Sequence, residues 1–389
     1  MAQSGGGVAA TDLERAVSTA EPAPRDHDPW LPWMRRALQL AELGRGRTSP
    51  NPLVGAVVLN AAGVLVGEGY HERAGAPHAE VGALRQAGEG ARGGTLVVSL
   101  EPCCHHGRTP PCSEAVIAAG IQRVVLAMRD PNPQVDGGGI ARLRAAGLEV
   151  IEGVAEHEAK ALNAAFRHRL ATGRPLGILK WAMSVDGRTA LANGESQWIS
   201  GPAARAWVHA LRADCDAVIV GGGTVRQDDP LLTSRGRRNP EPLRVVLSRR
   251  LDLPETARLW DLRSGPTLVA HGPEAPGERR HQLDARGVER LELAACEPAL
   301  LLEALAERGS LQVLWECGPE LAGAALRQGC VQRIAAVIAP KLLGGVAART
   351  PLGDLGLTSL ARALPWQERG LRHLGEDLLW SLEGPTPPP

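Results

Sequence analysis

His78-Ala79-Glu80 and the cysteines Cys103 and Cys112 are residues whose types and spacing suit hydrolytic metal chemistry. One imidazole and two thiolates match the tetrahedral preference of zinc, and three protein ligands leave a fourth position for water. Zinc brings the pKa of that water from about 15.7 towards ~7, so hydroxide forms at neutral pH. Glu80 stands two residues beyond the ligand histidine, placed to move protons rather than to bind metal. The predicted set is therefore His78, Cys103 and Cys112 around one zinc per chain, with Glu80 as the catalytic residue.

Adjacent cysteines rarely chelate one tetrahedral ion together, so Cys104 is read as a bystander. Pro111-Cys112 opens a predicted helix, whose N-terminus favours a thiolate. The alternative is a closed structural site with His105 or His106 as fourth ligand, which leaves Glu80 unexplained. His-x-Glu followed by Pro-Cys is the pattern of zinc nucleobase deaminases, which usually space their cysteines as Pro-Cys-x-x-Cys. Here the loop from His105 to Pro111 intervenes.

Regular elements must carry these residues to one place. Trp33–Leu43 has helical spacing and ends at Gly44, and Pro50-Asn51-Pro52 marks a turn. Val54–Leu59 and Val64–Gly69 read as a hairpin. Predicted helices at His78–Ala87, Cys112–Ala119 and Ile140–Ala146 alternate with strands at Thr95–Ser99, Arg123–Ala127 and Glu149–Gly153, which implies a three-layer α/β domain. One helix from about Ala155 to Ala171 closes it. Thr172-Gly173-Arg174-Pro175 then serves as linker, since Pro175 disfavours helical continuation through Arg174.

A second alternating series has predicted strands at Leu176–Met183, Ala217–Val220, Leu243–Leu247, Thr267–Ala270, Gln312–Trp315 and Arg333–Ala339. A helix capped by Ser200 lies between the first two, and Leu371–Leu374 with Leu378–Leu382 forms a closing hairpin. The expected division is a disordered extension at 1–28, a zinc domain at 29–173, a second α/β domain at 174–384 and a loose tail at 385–389.

Length agrees with two domains: the chain has 389 residues, 44% of them hydrophobic. Its 43 Lys+Arg balance 43 Asp+Glu, so no global field favours nucleic acid or an anionic membrane. No apolar run reaches the roughly 18 residues that span a bilayer, and the N-terminus lacks the pattern of a secretory signal. Seven cysteines, an odd count, do not suggest a secreted disulfide framework. Reduced thiols in the cytoplasm are the expectation.

In the second half, Ala217-Val218-Ile219-Val220-Gly221-Gly222-Gly223-Thr224 runs from a strand into a glycine turn, and Trp315-Glu316-Cys317-Gly318-Pro319 does the same. Such turns let backbone N–H groups approach phosphate, which suggests a phosphate-rich cofactor. Tight packing explains them equally well.

The stretches Pro50 to Gly55, Gly67 to His71, His78 to Val81 and Glu101 to Cys112 resemble the bifunctional RibD family of riboflavin biosynthesis, and the resemblance runs from about Trp33 to about Leu382. The expanded loop between the cysteines is specific to it, and the family usually has Ser in place of Cys104. Lys180 to Ala190, Gly194 to Ile199 and Thr224 to Thr233 look like its reductase motifs. The resemblance implies a cytidine-deaminase-like three-layer α/β/α domain followed by a dihydrofolate-reductase-like α/β domain. It implies hydrolytic deamination of 2,5-diamino-6-(5-phosphoribosylamino)pyrimidin-4(3H)-one, then NADPH-dependent reduction of the ribosyl group of 5-amino-6-(5-phosphoribosylamino)uracil to ribityl.

Asn51 is implied to help hold the deaminase substrate. His105, His106 and Arg108 suit its phosphate, with a solvated loop as the alternative. Carried over residue by residue, Ala182, Trp198, Thr224, Asp228, Gly318, Pro319, Glu320, Leu321, Ala322, Gly323 and Ala324 fall at cofactor positions. Ser196, Arg212, Leu232, Arg235 and Glu316 fall at substrate positions. Arg249 lies where the cofactor passes and is implied to hold the NADPH 2′-phosphate, a surface arginine being the alternative. Lys180 is left between proton transfer and sugar binding. The expected partners are small-molecule substrates and further copies of the chain.

Overall fold

The computed structural model describes residues 28–104, 111–133 and 135–385. The features expected at 1–27, at His105, His106 and Arg108, and at 386–389 lie outside the described residues.

In the first unit, α1 (Leu31–Glu42) has Pro32 in its first turn and buries Met34, Ala37, Leu38 and Ala41, the spacing of one helical face. The hairpin β1 (Gly55–Leu59) and β2 (Leu65–Tyr70) follows. Next come α2 (Ala79–Ala87), β3 (Thr95–Val98), α3 (Cys112–Ala118), β4 (Arg123–Leu126), α4 (Gly138–Ala145) and β5 (Glu149–Glu152). The strands lie in the order β2-β1-β3-β4-β5, antiparallel around β1 and parallel from β3 to β5.

Successive strand side chains point to opposite faces. Val58, Leu96, Val98 and Val124 pack against Ala83 of α2, Val116 of α3 and Leu143 of α4. Val57, Leu59, Val97 and Val125 pack against Met34 and Ala37 of α1. The result is the expected three-layer α/β/α arrangement. Gly67 and Gly69 seat α2 flush on β2, because a Cβ at either position would come within 2.2 Å of Ala83 O and 2.4 Å of Ala79 O respectively.

The single helix expected from Ala155 to Ala171 is broken into α5 (Glu156–Leu162) and α6 (Ala164–Thr172). The break is at Asn163, whose side chain accepts from Leu53 N at 2.8 Å and donates to Leu53 O at 2.9 Å. Helical spacing does not encode a partner so far away in sequence. Beyond the break, Ala164 and Ala165 pack against the core of the second unit.

That unit runs β6 (Leu176–Ser184), α7 (Pro202–Asp214), β7 (Ala217–Gly221), α8 (Gly222–Asp228), β8 (Leu243–Leu247), β9 (Thr267–His271), α9 (Gly277–Ala285) and β10 (Glu289–Glu292). It continues with α10 (Pro298–Glu307), β11 (Gln312–Trp315), α11 (Pro319–Arg327), β12 (Arg333–Ala339), β13 (Gln367–Leu374) and β14 (Asp377–Glu383). The sheet order is β10-β9-β8-β7-β11-β6-β12-β14-β13, parallel as far as β12 and antiparallel beyond it. One face packs Val218, Val246 and Leu314 with Ala204 of α7, and the other packs Ile219, Val245 and Val313 with Leu301 of α10 and Ala322 of α11.

One expected cap is corrected and one strand is added. The N-cap position of α7 is Gly201, not Ser200, and the Gly201 N–H donates to Asp377 Oδ2 at 2.7 Å. The edge strand β10, Glu-Arg-Leu-Glu, escaped notice because it carries no apolar alternation.

Candidate functional site

Two helix starts and one strand end meet in the first unit. His78 holds the N-cap position of α2, Cys112 is the first residue of α3, and Cys103 lies in the loop after β3. Their ligand atoms all fall within 4.8 Å of one another. His78 Nδ1 is 3.1 Å from Cys112 Sγ and 3.7 Å from Cys103 Sγ. The Cys112 thiol and His78 hold the Cys103 thiol well below its ordinary value against the effect of burial, while Cys112 itself is pushed up. Two sulfurs and one imidazole nitrogen, with no carboxylate among them, form a donor set that zinc takes.

Glu80 sits in the first turn of α2 and is 3% exposed. Burial pushes its carboxyl up to about 7, where a carboxyl both takes and gives protons readily near neutrality. Cys104 stands outside the cluster, with its sulfur against Gly138, where a Cβ would come within 2.8 Å. Glu101, part of the quoted motif, turns to structure instead. Its carboxylate accepts from the N–H groups of Asp130, Gly137 and Ile140 at 3.2, 3.1 and 3.0 Å, which ties the strand end carrying Cys103 to the start of α4.

Asn51 reaches the same region through His71. Asn51 Nδ2 donates to His71 Nε2 at 3.0 Å, and His71 Nδ1 donates to Pro77 O at 3.1 Å. Burial lowers the His71 pKa, which favours this neutral ring. The His71 ring meets the His78 ring edge-on with centroids 5.5 Å apart.

In the second unit a cavity of about 900 Å³ opens at the carboxyl ends of β6, β7 and β11, where open parallel sheets bind ligands. Ala182, Trp198, Thr224, Asp228 and Gly318 through Leu321 of the expected cofactor set line it, as do Ser196, Arg212, Leu232, Arg235 and Glu316 of the expected substrate set. Ala322, Gly323, Ala324 and Arg249 are not on its wall. Ala322 and Gly323 turn inward on α11. The Arg249 side chain is 72% exposed, with Nε 4.0 Å from Glu274.

Arg212 Nε and Nη2 donate to the two oxygens of Glu316 at 2.6 and 3.0 Å, the bidentate geometry that makes such pairs strong. Lys180 Nζ lies 4.0 Å from the same carboxylate. Burial alone would raise the Glu316 carboxyl, but the Arg212 charge and hydrogen bonds outweigh it and hold the group below its ordinary value. Burial makes Lys180 easier to deprotonate. Leu232 and Arg235 take positive φ, 56° and 60°, a conformation that non-glycine residues hold mainly where surroundings impose it.

Sequence reasoning passed over His209. It lies on α7 four residues after Arg205 and three before Arg212, so one helical face presents all three to the cavity. Its Nδ1 is buried without a hydrogen-bond partner among the described residues. Counting helical steps back from Arg212 was the signal available.

Comparisons with known proteins cover both units. Residues 31–128 match the cytidine and deoxycytidylate deaminase zinc-binding region, and residues 175–380 match the RibD C-terminal domain. Riboflavin biosynthesis protein RibD from Synechocystis sp. is 49% identical over 348 residues, spanning 90% of this chain and 94% of that protein. The structure of Acinetobacter baumannii RibD superposes with a TM-score of 0.82 at 41% identity, over 92% of this chain and 99% of that one. A Thermotoga maritima diaminohydroxyphosphoribosylaminopyrimidine deaminase/5-amino-6-(5-phosphoribosylamino)uracil reductase gives 0.82 at 35% identity, over 91% and 98%.

Proposed function

The chain belongs to the RibD family of riboflavin biosynthesis enzymes, which join a zinc-binding deaminase domain to a reductase domain, and from that premise we propose which substrates and residues serve each reaction. The first reaction converts the C2 amino group of 2,5-diamino-6-(5-phosphoribosylamino)pyrimidin-4(3H)-one to a carbonyl and releases ammonia. His78, Cys103 and Cys112 would hold one zinc, which when bound acidifies water towards a pKa of ~7. Glu80 takes a proton from the attacking water, gives it to the ring nitrogen beside C2, and passes the next to the leaving amine. Asn51, steadied by His71, holds the pyrimidine edge.

The second reaction adds a hydride and a proton across the ring-opened ribosylamine, at C1′ and at the amine nitrogen, to make the ribityl group. NADPH supplies the hydride. Arg212 and Glu316 orient the sugar, Arg235 meets the phosphate, and Lys180 is the acid best placed in this group to give the proton. Trp198, Thr224, Asp228 and the first turn of α11 from Gly318 border the cofactor. Arg249, exposed outside the cavity wall, is assigned to the 2′-phosphate, so Arg249→Ala should raise KM for NADPH and leave that for NADH unchanged.

The observation that carries this reading is a buried Glu80 set against a His–Cys–Cys cluster, in the same chain as a nucleotide-sized cavity. The test supplies purified protein with the diaminopyrimidine phosphate, with and without NADPH. Ammonia should appear in both cases, and NADPH should be consumed only as ammonia accumulates. Zinc-loaded protein that releases no ammonia, or that oxidises NADPH faster than it deaminates, would overturn the assignment.

The proposed units are 29–173 and 174–384, supported by Gly173 ending α6 at φ 74°. Self-association is proposed along the β13 edge, where Leu371 is exposed beside Trp380, its partner on β14, and sedimentation velocity tests it. No helix among the described residues is long and apolar enough to cross a membrane. The cytoplasm is the proposed compartment.

A further inference from the structure

One carboxylate of the second unit holds a turn of the first. Asp216 lies between α7 and β7, and its side chain is 11% exposed. Its Oδ2 accepts from Ser49 Oγ at 2.9 Å, from Leu311 N at 2.8 Å and from Gln312 N at 3.1 Å. Its Oδ1 faces Arg238 Nη2 at 3.6 Å. Ser49 belongs to a turn closed by a hydrogen bond from Asn51 N to Thr48 O at 2.8 Å. That turn presents Asn51 to His71, and His71 meets the ligand His78.

The turn and the residues leading into it rest on the second unit at two further points. Gly46, at φ 74°, passes so close that a Cβ would stand 2.3 Å from Ala213 O, and Gly309 lies against the Pro50 ring. Ser49 is the residue of the turn whose side chain crosses to a charged group. Hydrogen bonds to charged groups are worth more than neutral ones, and this carboxylate is itself fixed by two backbone N–H groups of β11 and its approach.

We propose that Asp216, through Ser49, is a positioning residue for the deaminase reaction: the reductase half sets where Asn51 stands. This rests on the assignment of Asn51 to the pyrimidine. Without the anchor the turn samples other arrangements, and the substrate must bind the fraction that is still competent. Apparent affinity falls by that fraction, while the step after binding is unchanged.

The test compares full-length Ser49→Ala, Asp216→Asn, the double variant and Ser49→Thr, with Asn51→Ala as reference. Zinc content, kcat and KM for ammonia release are measured, and NADPH oxidation by the same preparations reports whether the second unit is intact. Ser49→Ala and Asp216→Asn should each raise the deaminase KM roughly tenfold, with zinc retained and kcat within about twofold. The double variant should be no worse than the more affected single one, and Ser49→Thr should restore KM. An unchanged KM in Ser49→Ala, beside a raised KM in Asn51→Ala, overturns this proposal and leaves the Asn51 assignment standing. An unchanged KM in Asn51→Ala overturns both. Additive single effects, or a loss of kcat and zinc instead of a rise in KM, assign Asp216 to general stability and also overturn it. Should Asp216→Asn disrupt the second unit, Ser49→Ala and Ser49→Thr decide the question between them.

Discussion

The backbone N–H of Cys112 lies 3.3 Å from the sulfur of Cys103. The first residue of α3 thus supports its fellow cysteine through the main chain while turning its own sulfur to the same point. Side-chain changes at Cys112 leave that N–H in place but remove the sulfur.

Cys103→Ser and Cys112→Ser should therefore each lose zinc, since an open site has three protein ligands and no spare. Cys104→Ser should keep both zinc and deamination. Metal analysis after dialysis checks all three, and zinc lost from Cys104→Ser but kept by Cys103→Ser would reverse the ligand choice.

Glu80→Gln should bind zinc normally and lower deaminase kcat by about 10²–10⁴-fold, the usual contribution of a general acid–base group. NADPH oxidation with already deaminated substrate should be unchanged. Ammonia release and metal content on one preparation separate a proton carrier from a fourth ligand.

Glu316→Gln leaves the largely enclosed Arg212 and Lys180, 13% and 15% exposed, without their carboxylate. The cost of breaking such a pair is about 3–5 kcal/mol, and reductase turnover should collapse with it. Because Arg212 holds the Glu316 pKa below its ordinary value, the pair stabilises the wild type fully above the unfolded carboxylate value of about 4.3. That stabilisation is lost as pH falls through the folded value. Melting temperature against pH should show the wild type converging on Glu316→Gln in acid, and a gap that stays constant would argue against it.

Asn163→Ala removes two hydrogen bonds to Leu53 and leaves its N–H and C=O without that partner. A loss of about 1–3 kcal/mol is expected. Urea unfolding followed by zinc release should register it before the reductase activity fails.

The cluster around Glu80 was legible because its members announce themselves locally. A helix start, a Pro-Cys after a strand and a Pro-Cys opening a helix are each short-range signals. The layers of both sheets were legible because paired valines such as Val57 and Val58 feed opposite faces. The break at Asn163 was not, because its cause is Leu53, 110 residues earlier. The cap on α7 was missed for the same kind of reason: Asp377 arrives from the last hairpin. Of the stretch Gly318 to Ala324 that the resemblance implies, Gly318 to Leu321 line the cavity, and Ala322 points to the core. His209 needed only geometry already in hand, a helical face shared with Arg212.

Trp198 is 64% exposed, with the Arg205 guanidinium 4.7 Å from its ring, and Trp181 shares its cavity. The chain has nine tryptophans and a single tyrosine, so its near-ultraviolet emission is almost wholly indole light. One of the nine, Trp315, is fully buried. Reduced nicotinamide absorbs in the band where indoles emit. Docked beside Trp198, it would drain their excitation by resonance transfer, and the oxidised form, lacking that band, would dim them less. The protein therefore carries its own optical gauge of cofactor occupancy, readable with no turnover at all. Replacing Trp198 with Phe should blunt the response to NADPH more than the total emission.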